Sequence, residues 1–414
     1  MLNMLTRNIT TRVKESLQYS RVLLINGSRQ TGKTTLVKSL IEAGHPAKYV
    51  TLDDLIILKQ ARNDPQGFIR NFTHPVIIDE IQRAPEIFLP IKLAVDEAQM
   101  PGHFVLTGSA NIFTLPKLAD SLAGRMEIRH LMPFSQGELI GVKESFIDRI
   151  CADEFKEIAA EPVIREDIIN RILRGGYPEI LKRESARVRK NWFDDYLKTL
   201  FERDVRDLSN VRDLHDFPQL IQYLATRSST LLNLSEVSRS VGIQHETLRK
   251  YTALLEALWL IRELPAWSVN LGKRIVKTPK IFLNDTGLIA AILSINADRL
   301  YREPLLLGQL LETFVVLELM KQRGWSENSV QLFHFRDHSG LEVDVVLEQP
   351  NGDIIGIEIK ATATPGSEDL SGLRGLQKLA GKRFKRGILL HGGTASLSWG
   401  EEIYMMPISA LWQE

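Results

Sequence analysis

Residues 21–42 read RVLLINGSRQTGKTTLVKSLIE, an apolar run that is followed by a glycine-containing turn and then by a helical pattern. Gly27 and Gly32 bracket the turn, and Lys33 and Thr34 follow it directly. Glycines let the backbone curl so that successive N–H groups point inward, and the helix that begins there adds a partial positive charge. This order of strand, loop and helix predicts a phosphate-binding loop. The alternative is an ordinary strand-to-helix turn with a surface lysine.

The predicted ligand of this loop is ATP together with Mg²⁺. Lys33 would neutralise the β- and γ-phosphates, and the Thr34 hydroxyl would bind Mg²⁺. The residues expected to contact the nucleotide are Gly27, Ser28, Arg29, Gln30, Thr31, Gly32, Lys33, Thr34 and Thr35.

Four further apolar runs follow, and helical patterns alternate with them. The runs are KYVTLDD, PVIIDE, HFVLTGS and MEIRHLMP. This alternation predicts a parallel sheet with helices on both faces, and a ligand at the carboxyl ends of the strands.

Polar residues stand where the later strands end. Asp79 would hold Mg²⁺, and Glu80 would act as the general base on the attacking water. Ser109 would contact the γ-phosphate or the water; the alternative is that it only caps a turn. Arg125 precedes the last strand and would act on a nucleotide in cis or in trans; the alternative is a surface salt bridge.

The motifs GSRQTGKT, VIIDEIQRAP, VLTGSAN, SLAGRMEIRHLMPFSQGEL and GGYPE resemble the AAA+ superfamily. The resemblance is narrower to bacterial and archaeal ATPases that carry an AAA_14-like domain and a DUF4143 region. It implies the AAA+ sheet order, a helical lid and nucleotide-dependent assembly, so a homo-oligomer is a candidate state. Gly176-Tyr177-Pro178 matches a Gly-x-Pro element of such lids, which implies that Pro178 lies near the base; a helix-initiating proline is the alternative.

The expected fold class is α/β with four domains. Residues 1–132 form the P-loop AAA+ core, and residues 133–230, where helical periodicity replaces the strands, form a helical lid region. Residues 231–300 read as a winged helix, because a short helix, a Val241-Gly242 turn, a longer helix and a strand pair around residues 270–273 follow one another. Residues 301–414 form a restriction-endonuclease-like α/β domain, with a helix, a hairpin, a basic helix and a last strand, RGILLH.

The second helix of the predicted winged helix has one polar face. Gln244, His245, Arg249 and Lys250 point outward between apolar positions at helical spacing. These groups, with Lys273 and Arg274 in the wing, would contact DNA. The alternative is a solvated face on a domain that only packs against its neighbours.

The C-terminal hairpin EVDVVLEQPNGDIIGIEIKA alternates apolar and charged residues with period two, so Glu358 and Lys360 share a face. If Asp344 lies opposite them, the set can hold Mg²⁺ and activate a water for phosphodiester cleavage. Asp344, Glu358 and Lys360 resemble the PD-(D/E)xK nuclease motif, and Glu312 matches the upstream glutamate that completes its metal site. A half-exposed hairpin produces the same spacing without function.

A basic segment follows, with six cations and no acid. They are Arg374, Lys378, Lys382, Arg383, Lys385 and Arg386. This segment predicts a local patch for DNA, or else a solvated helix face. A patch is needed because the net charge of the whole chain is only +1.

The remaining composition indicates a soluble protein of the cytoplasm. The chain has one cysteine, Cys151, which excludes an intrachain disulfide. No apolar run approaches the ~18 residues of a membrane span.

Two functions follow from these patterns. The first is an ATPase coupled to DNA binding or processing through the nuclease-like domain. The second is a nucleotide-dependent regulatory switch whose nuclease-like domain is non-catalytic and binds protein or DNA.

Overall fold

The computed structural model describes residues 5–72, 74–110, 122–155, 161, 163–205, 216–400 and 402–413. These residues form two compact units. The N-terminal unit comprises Thr6–Pro133 and the short segment Ala253–Leu260. The C-terminal unit comprises mainly Phe134–Thr252 and Ile261–Glu414. The predicted division into four domains stays a prediction.

The N-terminal unit is built on a five-stranded sheet in which every neighbouring pair is parallel, which confirms the predicted parallel sheet. The order is β2-β3-β4-β1-β5. The strands are β1 (Val22–Asn26), β2 (Lys48–Thr51), β3 (Val76–Asp79), β4 (Phe104–Gly108) and β5 (Met126–His130). Because all five run the same way, their carboxyl ends share one edge of the sheet.

Helices cover this sheet. They are α1 (Thr10–Tyr19), α2 (Lys33–Glu42), α3 (Leu55–Asn63), α4 (Pro65–Arg70) and α5 (Phe88–Ala98), with 3₁₀ turns at Ile81–Arg83 and Pro85–Ile87. All five residues of β1 are buried, so both faces of this inner strand are covered, as in other parallel sheets. Phe68 and Ile91 pack against one face together with Leu24.

The C-terminal unit begins with helices, and no strand occurs among the described residues between 134 and 229. The helices are α6 (Gln136–Ile140), α7 (Phe146–Cys151), α8 (Arg165–Arg174), α9 (Ala186–Thr199) and α10 (Phe217–Thr226), with a 3₁₀ helix at Pro178–Lys182 and a π-helical turn at Leu200–Val205. This confirms the helical character predicted for the region.

Next along the chain come two helices and a small antiparallel sheet. The elements are β6 (Thr230–Leu231), α11 (Leu234–Val241), α12 (His245–Ala257), β7 (Ile261–Leu264), α13 (Leu271–Val276) and β8 (Lys280–Leu283), and the sheet order is β6-β8-β7. Gly242 ends α11 in the left-handed conformation, so the predicted turn between two helices is confirmed.

The predicted strand pair around residues 270–273 is wrong in position. Those residues enter helix α13, because the Asn270 side chain accepts a hydrogen bond from Lys273 N, at 3.3 Å, and caps the helix. The antiparallel strands lie on either side of this helix, at β7 and β8.

The chain ends on a six-stranded sheet of order β13-β14-β12-β11-β10-β9. Its elements, with the preceding helices, are α14 (Thr286–Ile292), α15 (Ala297–Arg302), α16 (Pro304–Gln322), β9 (Gln331–Arg336), β10 (Glu342–Glu348), β11 (Ile354–Lys360), α17 (Ser371–Ala380), β12 (Phe384–His391), β13 (Leu397–Ser398) and β14 (Ile403–Pro407), with 3₁₀ turns at Ser367–Leu370, Gly381–Arg383 and Ile408–Trp412. Strands β10 and β11 form the predicted antiparallel hairpin. The strand RGILLH is not the last one, since β13 and β14 follow it.

In the part of the chain described above, each helix is too short or too polar to cross a lipid bilayer.

Candidate functional site

The phosphate loop lies between β1 and α2, and its two glycines have separate structural reasons. At Gly27, where φ is +150°, a Cβ atom would stand 2.1 Å from Leu131 O. Gly32 has φ +92° and begins α2 from the left-handed region. A larger residue at either position would clash or strain the backbone.

Lys33 lies across the loop. Its Nζ donates to Gly27 O at 2.9 Å and to Ser28 O at 2.8 Å, and the residue is buried. Arg7 supports the loop from outside, because its guanidinium donates to Thr31 O at 2.8 Å and to Met132 O at 2.6 Å. No sequence pattern pointed to Arg7, since it stands far from the motif along the chain.

Asp79 ends β3 next to the loop. The Thr34 hydroxyl donates to Asp79 Oδ2 at 2.9 Å, and the Tyr49 hydroxyl donates to the same oxygen at 2.7 Å. Burial, together with the hydrogen bond to Asp79, raises the pKa of Tyr49 well above its ordinary value, so Tyr49 stays a donor. A hydroxyl and a carboxylate in contact are the hard oxygen ligands that suit Mg²⁺.

Glu80 follows Asp79 with φ 60° and ψ 47°, a left-handed conformation that is uncommon for a residue with a side chain. Its backbone N–H donates to Thr107 Oγ1 at 3.1 Å, and Thr107 in turn donates to Asp79. Strain of this kind costs about 1–3 kcal/mol and is concentrated at functional sites. The turn directs the carboxylate of Glu80 toward the end of β4.

Ser109 lies beside Glu80. Its hydroxyl donates to Glu80 Oε2 at 3.2 Å, and the Gln82 amide donates to Ser109 Oγ at 2.8 Å and to Glu80 as well. The structure therefore brings Glu80 and Ser109 together. It adds Gln82 and Thr107, which the sequence analysis missed. Thr107 had a signal, because it lies on the same face of its strand as Ser109.

Arg125 lies elsewhere. Its carbonyl accepts from Val22 N, at the amino end of β1, whereas the loop leaves the carboxyl end after Asn26. At about 3.3 Å per residue, about 13 Å of strand separate these two edges. Its guanidinium forms two hydrogen bonds with the Asp96 carboxylate, one of them 3.0 Å long. The in-cis role predicted for Arg125 is therefore wrong, and the alternative of a surface salt bridge is what the structure shows.

Pro178 opens a 3₁₀ helix in the C-terminal unit, as its alternative reading expected. Its place near the base of a nucleotide stays a prediction.

The predicted DNA-contacting face of α12 is exposed. Gln244, His245, Arg249 and Lys250 all point to solvent, and Lys250 pairs with Glu246 at 2.9 Å.

The two cations of the predicted wing differ from each other in their contacts. Lys273 is exposed, but Arg274 binds the Glu348 carboxylate, with one bond of 3.1 Å, and donates to Ser268 O at 2.7 Å. The phosphate contact predicted for Arg274 is therefore not supported.

The six cations of the predicted basic patch also differ in exposure and in their contacts. Arg374, Lys378 and Lys382 are exposed. The other three cations are used inside the unit: Arg383 binds Glu348, Lys385 binds Asp153 at 2.6 Å, and Arg386 donates to Ala152 O at 2.9 Å. A DNA-binding patch of all six residues is therefore wrong, because half of them are neutralised or buried.

Glu312 and Asp344, two of the acids of the nuclease-like motif, line a cleft of about 1100 Å³. Glu312 comes from α16 and Asp344 from β10. Between them lies Lys280 of β8, whose Nζ stands 2.7 Å from Glu312 Oε1, 3.7 Å from Asp344 Oδ1 and 2.6 Å from Glu342 Oε1. Burial lowers the pKa of Lys280, but the three carboxylates outweigh it and raise the pKa above its ordinary value. Burial, reinforced by Asp344, raises the pKa of Glu312.

Glu358 and Lys360 share a face of β11, as predicted, and form an ion pair of 3.0 Å. Burial, with the Asp344 carboxylate, raises the pKa of Glu358. Among the described residues no group of three or more His, Cys, Asp or Glu is arranged to hold a metal ion. The structure thus differs from the predicted metal set of Glu312, Asp344 and Glu358, because an ammonium lies among the acids. The sequence analysis missed Lys280, which is the first residue of an otherwise apolar strand.

Three family models match the chain. An AAA domain (AAA_14) matches residues 19–140, a domain of unknown function (DUF8612) matches residues 165–299, and another (DUF4143) matches residues 307–411. The AAA match covers the phosphate loop, Asp79, Glu80 and Ser109. An AAA domain implies nucleotide binding.

Several relatives match most of the chain. The uncharacterized protein Rv2008c of Mycobacterium tuberculosis is 30% identical over 362 residues, which cover 87% of this chain and 74% of that protein. The uncharacterized protein MJ1544 of Methanocaldococcus jannaschii is 21% identical over 82% of this chain and 74% of its own length. Among solved structures, a Walker-type ATPase of Pyrococcus abyssi aligns over 71% of this chain and 97% of its own, with 16% identity and a TM-score of 0.45.

Proposed function

The chain belongs to the same family as Rv2008c, and we propose that its AAA domain binds ATP with Mg²⁺ and hydrolyses it. One observation carries this proposal. The phosphate loop, Thr34, Asp79, Glu80 and Ser109 converge at the carboxyl edge of the sheet, within hydrogen-bonding reach of one another. This is the edge where open α/β sheets bind their ligands.

Each residue has a physical role in this proposal. The loop N–H groups and the N-terminus of α2 bind the phosphates, and Lys33 neutralises their charge. Thr34 and Asp79 would hold Mg²⁺, which neutralises further charge on the phosphates. Glu80 takes the proton of the attacking water, and Ser109 and Gln82 hold its carboxylate in place.

The test is Glu80→Gln compared with Lys33→Ala and the wild type. Glu80→Gln keeps the shape of the side chain but loses the base, so we expect ATP binding near wild type and turnover lower by about 10²–10⁴-fold. Lys33→Ala should bind ATP poorly, because the phosphate charge is no longer neutralised. Binding is measured with a fluorescent ATP analogue and turnover by phosphate release. Wild-type turnover in Glu80→Gln would refute the role given to Glu80.

For the output of the ATPase we propose a nucleotide-dependent switch in which the C-terminal unit binds DNA or protein. The exposed cations of α12 and α17 support DNA as the partner, and Lys280 between Glu312 and Asp344 favours binding over cleavage. The second candidate is DNA cleavage at Asp344, Glu358 and Lys360, as their resemblance to nuclease residues implies.

These two candidates differ in one assay. Supercoiled and linear DNA are incubated with Mg²⁺ or Mn²⁺, with and without ATP, and with wild type, Asp344→Ala or Lys33→Ala. We expect a mobility shift of the DNA but no more nicking by the wild type than by Asp344→Ala. Nicking that depends on Asp344 would establish the nuclease and contradict the switch.

A further inference from the structure

Lys280 is a buried charge that reaches the acidic cluster from another sheet. It begins β8, whereas its three carboxylate neighbours belong to α16 and β10. The residue is 97% buried, since its relative exposure is 3%. Burying an ammonium is favourable only when partners surround it. Here Glu312 and Glu342 are both within 2.7 Å of Nζ.

The Lys280 ammonium in turn offsets the repulsion among its three carboxylate neighbours. Glu312, Glu342 and Asp344 each have an oxygen within 3.7 Å of the same Nζ atom, so three negative charges share one site. Without a cation at their centre, they would repel. A cation therefore belongs to this cluster, and the structure supplies it as a side chain.

A fourth carboxylate, that of Glu358, lies close to Asp344. Glu358 is buried, with 7% exposure, and within the described ranges its Oε2 atom has no hydrogen-bond partner. Its other oxygen pairs with Lys360, and Asp344 Oδ2 accepts from the neighbouring Ile359 N at 2.9 Å. Oxygen ligands that converge on one point suit a hard divalent cation.

We propose that Lys280 is a tethered cation that occupies the place of a divalent metal among Glu312, Glu342 and Asp344, so that this cluster is a latent metal site. The proposal shares Glu312 and Asp344 with the nuclease-like motif of the proposed function, but it does not depend on ATP hydrolysis. Removing the ammonium opens the site to Mn²⁺ or Mg²⁺. In the wild type the metal is excluded because its charge would meet a fixed positive charge within contact distance.

The test is Mn²⁺ binding to the full-length chain without nucleotide. All variants carry Asp79→Asn, so that the ATPase centre does not contribute. We expect Lys280→Ala to bind Mn²⁺ at least about tenfold more tightly than the Lys280 protein, and its Tm to rise with Mn²⁺, because a ligand that binds only the folded state stabilises it. Electron paramagnetic resonance of free Mn²⁺ gives the affinity, and a thermal melt gives the Tm.

Two matched controls localise the effect. Lys280→Arg keeps the positive charge and should bind no more Mn²⁺ than the protein with Lys280. Lys280→Ala with Asp344→Asn should lose the gained binding, because a ligand is missing.

Tight Mn²⁺ binding by the protein that keeps Lys280 would overturn the proposal, provided that Asp344→Asn abolishes this binding. The proposal is equally overturned if folded Lys280→Ala gains no binding. If Lys280→Ala folds poorly, Lys280→Met, which keeps the length of the side chain without its charge, takes its place in the same test. Neither result affects the Glu80→Gln assay, so failure here and failure of the ATPase proposal are distinguishable.

Discussion

At the scale of single residues, Thr107 connects the two acids of the nucleotide site. Its hydroxyl donates to Asp79 and accepts from the Glu80 N–H. A single hydroxyl thereby fixes both the acid proposed to hold Mg²⁺ and the left-handed turn that aims the proposed base. Hydrogen bonds to charged groups contribute about 1.5–3 kcal/mol each.

Thr107→Val keeps the shape of the side chain and removes the hydroxyl. We expect kcat for ATP hydrolysis to fall about tenfold or more, with a smaller change in ATP affinity, because the loop itself is untouched. Thr107→Ser, which restores the hydroxyl, should recover most of the rate. Phosphate release and nucleotide titration separate the two effects. A Thr107→Val protein with wild-type kcat would show that the connection is unimportant.

Arg125 and Asp96 form a pair in which each serves as the control for the other. The Arg125 side chain holds the pKa of Asp96 below its ordinary value, as a surface ion pair does. If the pair is only structural, Arg125→Ala and Asp96→Ala should lower Tm slightly and equally and leave turnover unchanged. A different result is expected if Arg125 acts in trans in a homo-oligomer. Turnover would then rise with protein concentration and would be lost in Arg125→Ala but retained in Asp96→Ala.

At the scale of elements, helix α13 replaces the predicted wing, and its two cations have different surroundings. Lys273 faces solvent, whereas the Arg274 side chain is 10% exposed and its Glu348 partner 13%. Their adjacent positions in the sequence could not reveal this, because the partner of Arg274 lies on β10, far along the chain.

We expect Arg274→Ala to destabilise the protein by about 1–3 kcal/mol, since a charge on Glu348 would lose a buried partner. Lys273→Ala should leave stability unchanged and weaken DNA binding, if the C-terminal unit binds DNA. Thermal melts and a mobility-shift titration of both variants make the comparison. Equal melting temperatures for the two variants would contradict the assignment of Arg274 to the interior.

Local patterns and the sheet topology explain which site residues could be predicted from the sequence. The position of Lys33, Thr34, Asp79, Glu80 and Ser109 at one edge was predictable because each stands at or after the end of a strand of a parallel sheet, and such strands end at one edge. Arg7, Tyr49 and Lys280 were not predictable, because their partners are set by tertiary packing and their neighbours show no periodic pattern. Glu312 and Asp344 of the C-terminal cleft were found because they match a motif, whereas Lys280 was missed because it stands outside that motif.

At the scale of the whole molecule, stability depends on carboxyls buried in the C-terminal unit. Glu144 accepts from Gly137 N at 2.6 Å. Burial, reinforced by the Glu318 carboxylate, raises the pKa of Glu144 from 4.5 to about 7. The folded state thus holds this proton more tightly than the unfolded chain. The resulting stabilisation is complete below the ordinary pKa and is lost as pH rises through about 7.

Glu144→Gln should remove this dependence, because an amide does not titrate. Its Tm should fall below that of wild type at about pH 5 and gain on it by about pH 8, a change on the order of 3 kcal/mol in relative stability. Thermal melts across this range measure the difference. Parallel curves for the two proteins would show that Glu144 does not titrate on unfolding.

The N-terminal unit is built from two separate segments of the chain, which affects how it folds during synthesis. Ala253–Leu260 belongs to this unit, and Trp259 within it meets the His130 ring at a centroid distance of 4.0 Å. The ribosome must therefore translate well past the middle of the 414-residue chain before every part of the ATPase exists. Domains usually fold as units during synthesis, but this one has to wait for its last segment. A gene fragment that stops soon after β5 would encode the phosphate loop without the segment that completes its unit.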